Sequence, residues 1–229
     1  MYDFLCSINS ENEALKCVSE VSEINKNAGF IMHSWISNSE FVNSKIGRVV
    51  GMDKVVSFEK QKNEKALGLH WCVISDNFTF SSRIDQVSQE INKISLNLTK
   101  RKVLQVVMSV FDTLGFLNPI MIRAKLLLQN IWRHGTGWDE LLNSEDTEEW
   151  KRWVQALKAL RDFSVPRCYF TSSSTIKLTE LHIFCDASDK AYAAVAYART
   201  IYTNGKISIT LITSKSNVAP LTPHTVPRL

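Results

Sequence analysis

Apolar positions in this chain recur first with a helical period and then, beyond about residue 176, with the period of strands. Ser10-Glu11-Asn12-Glu13 forms a capping box, in which the Ser10 hydroxyl accepts from the Glu13 amide. Behind it Ala14, Val18, Val21, Ile24 and Ala28 recur at helical spacing, and Gly29 supplies a left-handed stop. Residues 30–36 read as a strand and 38–46 as a loop or short helix, while the charged stretch 54–65 reads as a surface connection. Two aromatic and β-branched runs, 67–74 and 78–80, flank Ser75-Asp76-Asn77 and predict a β-hairpin. Residues 81–98 read as a polar, weakly helical connection.

Three further helices are expected. Thr99 caps the first, running from Lys100 to about Phe111, with Val103, Val106, Val107, Val110 and Phe111 on one face. Pro119 sits at the first helical position of the second, 120–134, which Gly135 ends. The third runs from about Ser144 to Asp162, with Trp150, Trp153, Val154, Leu157 and Leu160 on one side. The segments 178–185, 192–198 and 207–213 are strand-like, and Asn204-Gly205 supplies a turn between the last two. This predicts a three-stranded antiparallel meander with an open edge and only one covered face, so the domain is expected to continue past Leu229.

Composition adds exclusions. With 229 residues, 45% hydrophobic and 22% charged, and only 8 Gly and 5 Pro, the chain is neither fibrous nor wholly disordered. No apolar run approaches the ~18 residues of a membrane span, and the first residues lack a signal-peptide pattern. The five cysteines are scattered and never in a Cys-x-x-Cys pair, which reads as reduced thiols in an intracellular, cytoplasmic protein, the nucleus being the other compartment open to it. The net charge of +4 is mild, but its distribution is not. Between Lys100 and His134 six bases face one acid, Asp112, and residues 139–149 then carry six acids and no base. Such a basic segment can hold a phosphate backbone, or it can be a solvated helix face; charge alone leaves both readings open.

One candidate for chemistry stands out. The strand ending Phe184-Cys185 runs into Asp186-Ala187-Ser188-Asp189, a common way to present a carboxylate to a divalent cation. The same residues also suit a strand-end turn, where Asp and Ser bond their own backbone. The five histidines share no metal-ligand spacing, Ser188 has no base partner in sight, and no glycine-rich phosphate loop occurs. Trp132 and Trp138 could stack on bases, whereas the spacing of Trp150 and Trp153 marks them as core.

Phe184-Cys185-Asp186-Ala187-Ser188 followed by Ala191 to Tyr197 resembles the first two strands of the RNase H domain in Bel/Pao-type LTR retrotransposon polyproteins. The closing Lys215-Ser216-Asn217-Val218-Ala219-Pro220-Leu221 and Val226-Pro227-Arg228-Leu229 resemble the same region. Phe111-Asp112-Thr113-Leu114-Gly115-Phe116-Leu117-Asn118-Pro119, with Arg123-Ala124-Lys125 and Trp132, resembles the helical segment after the reverse transcriptase palm. Lys65-Ala66-Leu67-Gly68-Leu69-His70-Trp71 is similar to the primer-grip hairpin, and Tyr2-Asp3-Phe4-Leu5 to the remains of the polymerase Tyr-x-Asp-Asp loop.

The resemblance implies an α+β fold in three pieces. Residues 1–98 would be a palm remnant with a β-hairpin, 99–165 a three-helix thumb or connection unit, and 176–229 a truncated RNase H-like antiparallel sheet. The parent would be an RNA-directed DNA polymerase with RNase H activity using Mg²⁺. Asp186 would be its first RNase H carboxylate, a metal ligand only in a complete domain, and Asp3 a vestigial polymerase acid. A lone carboxylate does not hold two hard cations, so the segment is expected to be catalytically inactive, with no Mg²⁺ stably bound. Weak contact with an RNA–DNA or DNA duplex is expected through Lys65, Gly68, Lys100, Arg101, Lys102, Arg123 and Lys125. The rest of the polyprotein would be its other partner, with no membrane. The competing readings are a repurposed non-enzymatic nucleic-acid or protein-interaction module and a non-functional transposon relic.

Overall fold

The computed structural model describes residues 4–32, 35–50, 63–66, 69–94, 97–170 and 174–221. The chain divides into two compact units, Met1–Phe78 and Thr79–Leu229.

In the first unit, helix α1 (Glu11–Asn27) begins where the capping box places it, with Ser10 Oγ accepting from the Glu13 amide at 3.3 Å. Gly29 follows the helix in the left-handed region, at φ +81°. Helix α2 (Glu40–Val50) packs against α1, burying Val18, Val42 and Ile46. The expected strand at 30–36 does not form among the described residues; Phe30 and Ile31 lie exposed, with no neighbouring strand to hold them extended. Strands β1 (Asn63–Ala66) and β2 (Leu69–Cys72) are antiparallel, with Glu64 opposite Trp71 and Lys65 opposite His70. β1 falls at the end of the stretch read as a connection, because its own residues carry no strand signal and β2 supplies the pairing. Strand β3 (Asn77–Thr79) follows a tight turn in which Asp76 takes φ +52°, pinned by a 2.9 Å bond from the Trp71 indole N–H.

The second unit is larger. Helix α3 (Ser81–Ile94) forms where a weakly helical connection is expected, and is firmer than that, since Ile84, Val87 and Ile91 lie at helical spacing and are all buried. Helix α4 (Lys100–Ser109) is capped by the Thr99 hydroxyl, α5 (Asn118–Arg133) starts with proline in its first turn, and α6 (Ser144–Lys158) is capped by Asn143. Their buried faces carry Val103, Val106 and Val107 from α4, Leu127 and Ile131 from α5, and Trp153 and Leu157 from α6. Phe111 departs from the predicted apolar face: α4 has ended at Ser109, and the ring is exposed. Full burial of a side chain such as Leu127 contributes about 1.5–3 kcal/mol. Trp153 is fully buried and still satisfied, its indole N–H donating to the Ile120 carbonyl at 3.1 Å. Phe80 meets Phe116 edge-on and stacks on Phe163. A short strand β4 (Ser164–Pro166) follows α6, and after it comes a separate three-stranded sheet.

That sheet is the predicted meander, with longer strands: β5 (Ile176–Ala187), β6 (Ala191–Tyr202) and β7 (Ile207–Val218), in that order and antiparallel throughout. The Asn204-Gly205 turn joins the last two, Gly205 taking φ +81°. The two sheet edges differ. Along the second half of β7 the loop between α4 and α5 covers the edge: the Ser214 amide donates to the Leu114 carbonyl at 2.9 Å, and Thr213 Oγ1 donates to that same carbonyl. Lys125 Nζ donates to the Ser216 carbonyl and Gln129 Nε2 to that of Ala219, both at 2.6 Å. β5 is the other edge, exposed along almost all its length although it is rich in apolar residues.

Candidate functional site around Asp186

Asp186 stands where β5 runs out, opposite Ala193 of β6. Its carboxylate is exposed, and one oxygen accepts from the next amide, that of Ala187, at 2.9 Å. Ser188 completes a tight turn: its hydroxyl oxygen accepts from the amides of Lys190 and Ala191, and its own amide donates to the Ala191 carbonyl at 2.8 Å. The Asp-Ala-Ser-Asp run thus does the backbone work its residue types favour, and leaves an acid at the mouth of a groove of about 470 Å³. One wall of that groove is Phe116, Asn118, Pro119 and Ile122 at the start of α5; its floor includes Phe184, Tyr192 and Val195 of the sheet.

The groove wall is held to the sheet by contacts almost a hundred residues apart in sequence. Asn118 Nδ2 donates to Ser214 Oγ at 2.9 Å, and Ser216 Oγ donates to Asn118 Oδ1 at 3.1 Å. Asp112 fixes the turn before α5, accepting from the amides of Phe116 at 3.0 Å and Leu117 at 2.6 Å. Burial raises the Asp112 carboxyl above its ordinary range, against the pull of those amide bonds and of the Lys125 charge. Lys125 is pushed down, first by burial and then by the neighbouring charge of Lys215.

A metal pair needs several acids around it. Among the described residues no group of three or more His, Cys, Asp or Glu side chains could hold a metal ion. The donor set around Asp186 therefore does not fit two divalent cations. Asp3 lies outside the described residues.

The candidate duplex contacts are drawn into the fold more than sequence suggests. The Lys100 ammonium is buried, donating to the Thr136 carbonyl and lying 4.3 Å from the Trp132 ring centroid and 5.2 Å from that of Trp138. Arg101 forms a two-pronged pair with Asp139 at 2.8 and 2.9 Å, which raises the guanidinium and lowers the carboxyl from their ordinary values. Lys102 donates to the Asn97 carbonyl at 2.9 Å, Arg123 pairs with Glu149 at 3.1 Å, and Lys125 is bound to the Ser216 carbonyl. Two bases of this segment, Arg101 and Arg123, thus pair with acids of the segment that follows it. Lys65 stands in β1 opposite His70, and Gly68 lies outside the described residues.

Sequence reading missed the Asp112–Lys125–Lys215 grouping and the Asn118–Ser214–Ser216 bonds; nothing local marks them, because each joins the helical segment to β7. Farther along β5, on the face that carries Phe184 and Asp186, Glu180 pairs with Arg199 and His182, the first of which chiefly holds its carboxyl below the usual range. No helix among the described residues is long and apolar enough to cross a membrane. All five cysteines are free thiols.

A protein-family model described as Pao retrotransposon-like RNaseH-like domain matches residues 99–229. No curated protein matches the chain.

Proposed function

Because the chain belongs to the family of Pao retrotransposon-like RNaseH-like domains, we propose that it is a segment of a Pol polyprotein that supplies structure and one strand-end carboxylate, without hydrolysing RNA by itself. The observation that supports this is Asp186: its exposed carboxylate stands at the end of β5, at the position the resemblance gives the first RNase H acid, and no metal-holding cluster of acids surrounds it among the described residues. Two-metal hydrolysis places a cation on both the attacking and the leaving oxygen, which one exposed carboxylate cannot organise. In this reading the β1–β2 hairpin corresponds to a primer grip, and helices α4 to α6 to the thumb or connection.

Contact with a duplex belongs to the same proposal, in a narrower form. Lys100 and Lys125 hold their carbonyls in part-buried bonds, whereas the Lys102 bond to Asn97 and the Arg101 pair are exposed. Among the candidate residues described, Arg101, Lys102 and Arg123 are therefore the cations that can turn to phosphates. The Arg101–Asp139 pair is exposed on both sides, and solvent screening leaves such pairs weak, so a phosphate can take the place of the acid. Such contacts read backbone shape and charge rather than sequence.

The test is a cleavage and binding assay on a labelled RNA–DNA hybrid with Mg²⁺ or Mn²⁺. No chain-dependent cleavage is expected, and binding should weaken steeply with salt. Cleavage above buffer that disappears in Asp186→Asn would overturn the inactive reading. A flat salt response would remove the duplex contact and favour a protein-interaction role.

A further inference from the structure

Trp132 and Trp138 form an aromatic pair that the fold braces and then leaves half bare. They meet edge to face, with ring centroids 5.3 Å apart, and are 50% and 42% exposed. Behind them the buried Lys100 ammonium lies 4.3 Å from the Trp132 centroid and 5.2 Å from that of Trp138. The three separations make a nearly equilateral triangle, so the ammonium and the Trp138 ring crowd one side of Trp132. Its exposed surface is therefore on the other side, an indole face open to solvent. The setting is firm. The Arg101 amide donates to the Trp138 carbonyl and the Leu142 amide to that of Leu98, both at 3.1 Å, while Glu140 Oε2 accepts from the Gly137 amide at 2.8 Å. The loop is ordered before any ligand arrives, which lowers the entropy cost of binding.

We propose that the open face of Trp132 is a stacking platform for an unpaired base of a single-stranded nucleic acid. Every base has a π-face to lay on the indole, so contact of this kind is indifferent to sequence. A base inside a duplex is already covered on both sides by its neighbours, so the platform selects single strands and unpaired ends. Charge favours the same occupant. Lys100, Arg101 and Lys102 open α4 beside the pair, and the Arg101 guanidinium stands 5.6 Å from the Trp138 centroid. The acids of the loop are engaged, Asp139 by Arg101 and Glu140 by the Gly137 amide. Lys100 is bound to the Thr136 carbonyl, which leaves Arg101 and Lys102 for the phosphates flanking the stacked base. This deepens the duplex contact proposed above and rests on it for those two cations; the stacked base is the addition.

The experiment is an anisotropy titration of the full chain at low salt with three labelled probes: an oligothymidylate, an abasic strand of the same length and phosphate number, and a blunt RNA–DNA hybrid. The oligothymidylate should bind roughly tenfold or more tighter than the abasic strand, the gain from laying one base on an aromatic ring. Trp132→Ala should erase that ratio, Trp132→Phe should keep most of it, and neither should move the affinity for the blunt hybrid. Far-UV circular dichroism matching the parent shows that the variants fold, and the ratio measured on the parent chain needs no variant at all. Equal binding of the two strands by the parent, or a ratio that survives in folded Trp132→Ala, would overturn the stacking proposal and leave the hybrid contact standing. A base-dependent ratio lost in Trp132→Ala, with no binding of the blunt hybrid, would support stacking and overturn the duplex contact instead.

Discussion

Gly115 is the position where a single added carbon does the most measurable harm. Its φ of +75° is left-handed, which costs an L-residue about 1–2 kcal/mol. Its neighbours leave no room: a Cβ would lie 1.9 Å from the Ser214 carbonyl oxygen and 2.7 Å from its carbonyl carbon, both backbone atoms of β7. Alanine has no rotamer with which to escape, so the strand or the loop must retreat. Retreat breaks the Ser214 amide bond to Leu114, the Thr213 hydroxyl bond to the same carbonyl, and the Ser214 hydroxyl bond to Gly115. At about 1 kcal/mol each these add roughly 3 kcal/mol, for a total loss of about 4–5 kcal/mol. Gly135 is the control: it is also left-handed, at φ +69°, but nothing lies within 4 Å of its missing Cβ. Gly135→Ala should therefore lose only about 1–2 kcal/mol. Urea denaturation followed by tryptophan fluorescence gives the two losses, and hydrogen exchange at β7 shows where the first arises, with the Ser214 amide losing protection only in Gly115→Ala. Equal losses in the two variants, or unchanged protection at Ser214, would refute the close approach of loop and strand.

Two further outcomes follow from the charges. Burial raises the folded-state pKa of Asp112 above its ordinary 3.8, so the folded chain binds this proton more readily than the unfolded one. The Asp112 contribution to stability must then rise as pH falls from the raised value toward 3.8, and level off below it. Denaturation midpoints against pH, with Asp112→Asn as the non-titrating reference, should show that slope, and a difference running the other way would refute the burial argument. Lys100→Met keeps the aliphatic stem but removes the ammonium from between Trp132 and Trp138 and from Thr136, and should cost about 1–3 kcal/mol in a thermal or urea melt. It should leave the salt dependence of any hybrid binding unchanged, whereas Arg101→Ala should reduce the log–log slope by about one.

Local chemistry made much of this fold legible. The Ser10 box, Thr99, Pro119 and the glycines at 29, 135 and 205 act through neighbours within a few residues, and each marks the boundary it should. The three long strands were legible for the same reason: period-two apolar runs and an Asn-Gly turn need no distant information. The strand expected at 30–36 misled because a strand requires a partner, and the weakly helical reading of 81–98 understated a packed helix because a sparse apolar stripe such as Ile84, Val87 and Ile91 acquires its meaning only from the helices it packs against.

Sequence alone determined the helices that follow Thr99, the three long strands, the strand-end acid at Asp186 and the kinship of the segment from Phe111 to Pro119. Tertiary structure decided the fate of the charges. Six bases and six acids look like a phosphate-binding face until folding brings Arg101 to Asp139, Arg123 to Glu149 and Lys100 between two tryptophans. A side chain's partner is set by proximity in space, and residues 26 to 38 positions apart become neighbours only when the helices pack. The same holds for the sheet: its strands are written in the local pattern, but which edge is covered and which lies bare depends on where the loop before α5 comes to rest.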